Sequence, residues 1–405
     1  MKSPLNKPMP LPQPMSQPLS ESLNETTDPI LAASLSLVRW LVLSWLGLVV
    51  IGILAVGTPG ALAAGNAVAF ERAVFTSLNV ATLSGLSQQF ARVEDFSLIV
   101  RAIFVMQTLS GLLLSLIGGS ILMARALRLP YSDSRISVAS VILMALAMVV
   151  GVVARSPGDA VFDGAFFNNA MRGLSALACS GVSFNGWPGL SSLAHVSAFA
   201  PLSLIGAMGV LVVLEVFRAV TRAASLSAFA WRAICTVSIT YVMGVGALTL
   251  LTHDALRASG VTLLALTGGM PIEWASDWPR AMGLVVTCIA IVGTGAGGVC
   301  GGVGAAYFFT LGRRSIRVVA VCFVTQIIFI VCALMILLSI EPTLSFERAQ
   351  FLCVSAAMGL GLSHEPVSVT GGSLHVLSGL LITSRLLPLV MLWLILRKRL
   401  GANSE

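Results

Sequence analysis

Long apolar runs alternate with short polar ones along almost the whole chain. Runs of about 20 residues or more, the length a helix needs to cross a bilayer, cover approximately 35–57, 97–123, 136–154, 192–218, 232–252, 281–309, 316–340 and 374–396. The pattern predicts eight spanning helices. Within each successive pair lies a shorter, moderately polar segment, at about 70–87, 162–183, 255–270 and 345–362. These are too short and too marked by glycine to span. Each reads as a re-entrant helix that stops at a glycine.

The four short segments resemble one another. They run Phe75-Thr-Ser-Leu-Asn-Val-Ala-Thr82-Leu83-Ser84-Gly85, then Leu174-Ser-Ala-Leu-Ala-Cys179-Ser180-Gly181. The third and fourth are Leu263-Leu-Ala-Leu266-Thr267-Gly268-Gly and Cys353-Val-Ser-Ala-Ala357-Met358-Gly359-Leu-Gly-Leu. The glycines at 85, 181, 268 and 359 are 96, 87 and 91 residues apart. Near-constant spacing predicts one supersecondary unit used four times, here helix, re-entrant loop, helix. The expected division is a disordered segment 1–30, repeats at 31–130, 131–225, 226–314 and 315–400, and a tail 401–405. The fold class is an all-α polytopic membrane protein around a pseudo-fourfold pore.

The run Gly293–Gly304 interrupts this regularity, because seven of its twelve residues are glycine. Glycine costs roughly 1 kcal/mol per helix position relative to alanine, so a helical span should break here. Broken backbone at membrane depth is tolerated only inside protein or beside a water-filled cavity. The run therefore reads as an unwound segment lining a polar pathway. A small-residue packing face is the alternative, since Gly293/Gly297 and Gly297/Gly301 are four apart. The formal dinucleotide pattern Gly293-Thr-Gly295-Ala-Gly297-Gly298 lacks a surrounding βαβ unit, and no Lys-Ser/Thr ending makes it a phosphate loop.

Composition agrees with a membrane protein: 57% of residues are hydrophobic and 10% charged, against about 25% charged in soluble domains. Seven of the seventeen prolines fall in residues 1–30, which have no apolar core and no hydrophobic stretch of a cleavable signal. The net charge of +7 implies no nucleic-acid partner, because its placement along the chain accounts for it. One set of loops carries Arg125, Arg128 and Arg135, then Arg218, Arg222 and Arg232, then Arg313, Arg314 and Arg317, and finally Arg397-Lys398-Arg399. By the positive-inside rule this side and both termini are cytoplasmic. The other side, with the re-entrant loops, holds Glu71, Glu94, Asp95, Asp159, Asp163, Asp254, Glu273, Asp277, Glu341, Glu347 and Glu365. These are either ordinary solvated loop charges or a cation-attracting vestibule. The seven cysteines (Cys179, Cys235, Cys288, Cys300, Cys322, Cys332 and Cys353) lie in apolar stretches without a CxxC pair and read as small buried hydrophobes. The histidines have no ligand spacing, and no nucleophile–base pattern points to an enzyme or to a cofactor.

Four glycine-ended loops suit a dehydrated monovalent cation. Backbone carbonyls can replace the water of a potassium ion, and aiming successive carbonyls inward requires left-handed backbone, which glycine adopts at no steric cost. Short helices ending at the centre add partly negative C-termini.

The residues carry a resemblance at this point. From about Leu35 to Arg399 the chain resembles the potassium-transporter superfamily of the bacterial Trk and Ktr membrane subunits and their plant and fungal HKT relatives. Gly85, Gly181, Gly268 and Gly359 fall where that family has one filter glycine per repeat. Met358-Gly-Leu-Gly-Leu-Ser363 resembles its Leu-Gly-Pro-Gly-Leu, and Ile205-Gly-Ala-Met-Gly-Val210 its second-repeat Ile-Gly-Gly-Leu-Gly-Phe. The glycine run 293–304 aligns on its third-repeat intramembrane loop. The resemblance implies a selectivity filter at Thr82, Leu83, Ser84, Gly85, Cys179, Ser180, Gly181, Leu266, Thr267, Gly268, Ala357, Met358 and Gly359. It implies a gate of Gly293, Gly295, Gly297, Gly298, Gly301 and Gly302 with Arg385. Arg385, expensive at membrane depth, is expected to donate to carbonyls of 293–304 and to raise a positive barrier. The alternative is a pin between helices. The family's filter threonines are mostly absent, its Ser-Thr in the loop is Gly298-Val299, and its loop lysine is Gly304. The implied function is potassium uptake across the cytoplasmic membrane, with potassium as cargo and no cofactor. A degenerate, non-conducting regulatory paralogue and a sodium-permeable variant are the alternatives. The implied partners are membrane lipid, a second copy in a homodimer, and a nucleotide-binding cytoplasmic ring.

Overall fold

The computed structural model of the chain describes residues 27–62, 65, 67–91, 93–154, 165–182, 187–190, 192–222, 225–268, 275–293 and 313–402. Its framework is helical, and the described residues contain no β-strand, only isolated bridges. The segment expected to be the first repeat comprises α1 (Thr27–Val56), a short helix α2 (Phe70–Ala81) and α3 (Leu98–Leu113), which continues through a π-helical stretch 114–119 into α4 (Ser120–Ala126). The second comprises α5 (Asp133–Val153), the short α6 (Ala165–Leu177), and a π-helical turn 195–199 leading into α7 (Ala200–Met208) and α8 (Val210–Arg222). The third holds α9 (Ala228–Thr252), the short α10 (Ala255–Thr267) and α11 (Arg280–Val292); the fourth holds α12 (Arg313–Ile340), the short α13 (Phe346–Met358) and α14 (Gly372–Ala402). Four short helices sit where the re-entrant segments are expected.

Among the described residues six helices are long and apolar enough to cross a membrane, and the pair 195–208 and 210–222, bent by 102°, brings the number to seven when counted as one broken span. Leu54, Val153 and Leu250 face outward and are exposed, as side chains in contact with lipid must be. The expected run 281–309 corresponds to α11, which is shorter than a span and ends at Gly293; residues 294–312 lie outside the described residues. So do residues 1–26 of the segment expected to be disordered, whereas 27–30 begin α1.

Local sequence explains where the helices start. Ser132, Ser227, Asp254 and Ser345 each accept the main-chain N–H three residues on, from Arg135, Ala230, Arg257 and Arg348, satisfying a donor that the first turn leaves unpaired. Close packing explains several glycines. A Cβ on Gly111 of α3 would stand 2.3 Å from the Ala81 carbonyl oxygen, and one on Gly206 of α7 1.8 Å from that of Leu177. Ala81 and Leu177 are each the last residue of a short helix. In both repeats, then, a glycine on the second span makes room for the end of the re-entrant helix.

The second span of every repeat is irregular at mid-length. The first carries the π-helical stretch 114–119, the second bends at Gly209 (φ 82°), the third ends at Gly293 (φ 58°), and the fourth holds Pro388 inside α14. Such interruptions have local causes, here a π-helical stretch, two left-handed glycines and a proline inside a continuous helix.

The arginine-rich side is tied together by buried polar groups. Asp133 accepts from Ser34 Oγ at 2.6 Å and from Arg125 Nη2, joining α1, α4 and α5. Glu215, fully buried, accepts from Tyr131 Oη, from Arg218 Nη2 at 2.9 Å and from the Ser227 N–H at 3.2 Å. Burial first, and then the Glu215 contact, push the Tyr131 phenol up to about 12. The hydroxyl acts as donor only while protonated. Its stabilising contribution is therefore complete below the ordinary tyrosine value of about 10 and is lost as pH climbs through about 12. One of the chain's three tyrosines should thus ionise two pH units late in an ultraviolet phenolate titration of folded protein. Tyr131→Phe should delete that late component; a titration unchanged by the substitution would refute the assignment.

Candidate functional site

The four short helices and the loops that follow them form a closed ring. Between the first and second loops, a Cβ on Gly85 would lie 2.0 Å from the nitrogen and Cα of Gly181, and one on Gly181 would lie 2.3 Å from the Gly85 carbonyl oxygen. Between the second and third repeats, α7 packs on α10, and Leu190 lies against Gly260. Between the third and fourth, a Cβ on Gly268 would meet the Gly359 carbonyl oxygen at 2.8 Å, and the N–H groups of Ala275 and Ser276 donate to the carbonyls of Ser363 and His364, both at 3.1 Å. The ring closes from fourth to first: Val367 N–H donates to the Ser87 carbonyl at 2.8 Å, Gln89 N–H donates to the Val367 carbonyl at 3.3 Å, and α2 packs on α14. Gly85 and Gly181 thus meet each other, as do Gly268 and Gly359.

The backbone of the loops repeats in detail. In the first loop Leu83 (φ 62°) and Gly85 (φ 65°) are left-handed; in the fourth, Gly359 (φ 64°) and Gly361 (φ 68°) are. Ser84 N–H reaches back to the Asn79 carbonyl, Ser180 N–H to Ser175 and Leu360 N–H to Ser355, each five residues earlier. This register sets Leu83, Cys179 (φ 50°) and Gly359 at one level. It sets Gly85, Gly181 and Gly361 at the next. The fourth-loop glycine equivalent to Gly85 is therefore Gly361, two residues beyond the one that spacing selects. Gly268 (φ 78°) is left-handed too. Gly181 is outside the left-handed region; closeness to Gly85, rather than φ, excludes a side chain there. Left-handed conformation at Leu83 and Cys179, which are not glycines, costs of order 1–3 kcal/mol each and is typical of functional loops.

The other expected filter residues are buried supports. Thr82 Oγ1 donates to the Leu78 carbonyl at 2.7 Å and shares a hydrogen bond with Ser84 Oγ at 3.0 Å. Cys179 Sγ donates to the Ser203 carbonyl, Ser180 Oγ accepts from Val182 N–H, and Thr267 Oγ1 donates to the Leu263 carbonyl. Leu266, Ala357 and Met358 are buried.

Some contacts left no mark in the sequence pattern. Trp45 Nε1 on α1 donates to the Ala81 carbonyl, and Gln326 Nε2 on α12 to the Ala357 carbonyl, both at 2.9 Å. In the register above, Ala81 and Ala357 are equivalent, so the first spans of repeats one and four hold the same carbonyl with different donors. Behind α2, Gln107 Nε2 bridges the Leu48 carbonyl at 3.0 Å and Ser77 Oγ at 2.6 Å. It fits only because Gly52 has no side chain, since a Cβ there would sit 2.0 Å from that nitrogen.

Arg385 reaches the ring from α14. Its Nε donates to the Thr82 carbonyl at the end of α2, and Nη1 lies 3.5 Å from Ser115 Oγ in the π-helical stretch. One partner is thus the first filter loop. Of the expected gate, Gly293 ends α11 with left-handed backbone, while Gly295, Gly297, Gly298, Gly301 and Gly302 lie outside the described residues.

On the acidic side, Glu71 and Glu347 stand in the first turns of α2 and α13, and Asp254 caps α10. Their field is partly offset: Glu365 pairs with Arg348 at 2.9 Å and Glu347 lies 3.6 Å from Arg280. Arg72, Arg257 and Arg348 occupy one position near the start of three short helices. Arg72 donates to the Val369 carbonyl at 3.3 Å and lies over the Phe90 ring. No group of metal-ligating side chains occurs among the described residues. Cys179, Cys235, Cys288, Cys332 and Cys353 are free thiols; Cys179 and Cys353 are buried as expected, but Cys288 and Cys332 are exposed on helix faces.

Neither a protein-family model nor a curated protein matches the sequence. Among solved structures, the crystal structure of the potassium transporter TrkH from Vibrio parahaemolyticus is similar with a TM-score of 0.64, over 87% of this chain and 83% of that one, at 16% identity. The chain has the fold of that transporter.

Proposed function

We propose that the chain is the pore-forming subunit of a potassium-uptake system in the cytoplasmic membrane, with both termini on the arginine-rich, cytoplasmic side. The observation that carries this reading is the closed ring of loops. Main chain meets main chain at Gly85/Gly181 and at Gly268/Gly359. Left-handed residues occupy every second position, Leu83/Gly85 and Gly359/Gly361, in the first and fourth loops, and such backbone lets carbonyls turn inward. Carbonyl oxygens so arranged can take the place of an ion's water, and the partly negative C-terminal ends of four short helices lead into these loops. The likeness in fold to a potassium transporter agrees with it.

In this reading potassium enters from the side of Glu71, Asp254 and Glu347, sheds water at the ring, and leaves past Arg385 and the glycine run. The membrane potential supplies about 2.3 kcal/mol per charge per 100 mV. Gly293–Gly304 and Arg385 form the gate. A homodimer and a nucleotide-binding ring at the basic loops and the Arg397-Lys398-Arg399 tail are the partners.

Rubidium uptake into liposomes holding the purified chain tests this. Potential-driven uptake, with rubidium favoured over sodium, is the expected result. Equal passage of the two ions would favour a sodium-permeable variant. No flux through correctly inserted protein would favour a non-conducting paralogue and overturn the proposal.

A further inference from the structure

We infer that Asn79 is a specificity-determining positioning residue, which holds the first filter loop in its cation-discriminating shape; the inference rests on the pore reading above. Asn79 is buried on the last turn of α2. Its Nδ2 donates to the Leu86 carbonyl at 2.8 Å, its Oδ1 accepts from Leu86 N–H at 2.9 Å, and its own carbonyl accepts from Ser84 N–H at 3.1 Å. One residue thus grips the main chain on both sides of Gly85. The side-chain amide acts as a second strand would, pairing with both polar groups of Leu86 at once.

The equivalents of Asn79 lack this grip. The bonds that reach back five residues align Asn79 with Ser175 and Ser355. Both serine hydroxyls are buried without a partner. A serine is shorter than asparagine and has one oxygen, so it cannot bridge an N–H and a carbonyl of the strand. Of the three loops aligned in this way, the first alone among the described residues has a side chain bonded to both polar groups of one loop residue; the second is held instead by Trp187 Nε1, which donates to the Gly181 carbonyl at 3.4 Å.

The placement makes the clamp matter for the whole ring. The first loop touches the second at Gly85/Gly181 and is hydrogen-bonded to the fourth through Ser87, Gln89 and Val367. It is therefore the loop against which two neighbours register. Discrimination between potassium and sodium requires that the oxygens resist closing on the smaller ion. A loop fixed at Leu86 resists; a loop with two freed, buried polar groups relaxes until they find new partners.

The test uses full-length protein in liposomes and reads the rubidium-to-sodium permeability ratio beside thermal stability. Asn79→Ser, which copies the other loops, should lower the ratio by about fivefold or more, as loss of one or two hydrogen bonds of about 1 kcal/mol warrants. Asn79→Asp supplies a readout that a purely structural role would not move. Protonated, the carboxyl can both donate to the Leu86 carbonyl and accept from its N–H; ionised, it can only accept. Its ratio should therefore approach wild type at low pH and fall as pH rises, relative to wild type at each pH. An Asn79→Ser ratio within about twofold of wild type would overturn the inference. Should that variant not fold, a pH-independent, wild-type ratio in Asn79→Asp would overturn it equally. Absence of rubidium flux in wild type is a different outcome, and it counts against the pore reading itself.

Discussion

Gly85→Ala is expected to reduce rubidium flux by more than about tenfold, while the protein still inserts into the membrane. Two costs add at this position. The backbone is left-handed, where a Cβ costs roughly 1–2 kcal/mol. That Cβ would also lie 2.0 Å from the main chain of Gly181, so the neighbouring loop must move. Each 1.4 kcal/mol is a factor of ten, and both loops belong to the ring. Gly47→Ala is the matched control, because nothing stands within 4 Å of a Cβ there; its flux should equal wild type. Gly268→Ser shares the left-handed strain (φ 78°) but should act more mildly, lowering potassium preference, since its Cβ closely meets one carbonyl oxygen, at 2.8 Å, rather than main chain at 2.0 Å. Flux assays with parallel measurement of inserted protein decide this. Wild-type flux in Gly85→Ala would remove the first loop from the ion path.

Arg385→Ala is expected to raise flux by about thirtyfold and to lower the rubidium-to-sodium ratio. The first effect is electrostatic. A guanidinium about 8 Å from a passing cation opposes it by about 2 kcal/mol at an effective permittivity of 20. The second follows from the contact of Nε with the Thr82 carbonyl, directly before the left-handed residue Leu83. Arg385→Lys separates the two effects, because lysine keeps the charge and loses the planar fork. Its flux should stay low while its ratio falls. Unchanged flux in Arg385→Ala would reject the barrier and leave the residue a pin between α14 and α2.

Much of the architecture was legible because the bilayer imposes length. Runs of about 20 apolar residues mark spans, and the four shorter, glycine-ended segments correspond to α2, α6, α10 and α13. The break at the start of the glycine run was legible for the same reason: glycine weakens a helix, and α11 stops at Gly293. The register of the fourth loop was not. Spacing alone selects Gly359, but Gly359 and Gly361 both adopt left-handed backbone, and only the bond from Leu360 N–H to the Ser355 carbonyl separates their roles. The 102° bend at Gly209 also hides from an apolar count, because bent and straight spans have the same composition. Donors to main-chain carbonyls, such as Trp45 and Gln326, leave no complementary residue to detect. The partial neutralisation of the acidic side by Arg348 and Arg280 depends on which loops fold back over α13, and charge order along the chain does not encode that.

In the proposed pore, four re-entrant loops on one axis hold a dehydrated monovalent cation by main-chain oxygens. Anomalous diffraction from crystals grown in rubidium tests it most directly. A rubidium peak is expected inside the ring, within coordination distance of carbonyl oxygens at the level of Gly85 and Gly181. Rubidium bound elsewhere, with that ring empty, would contradict it.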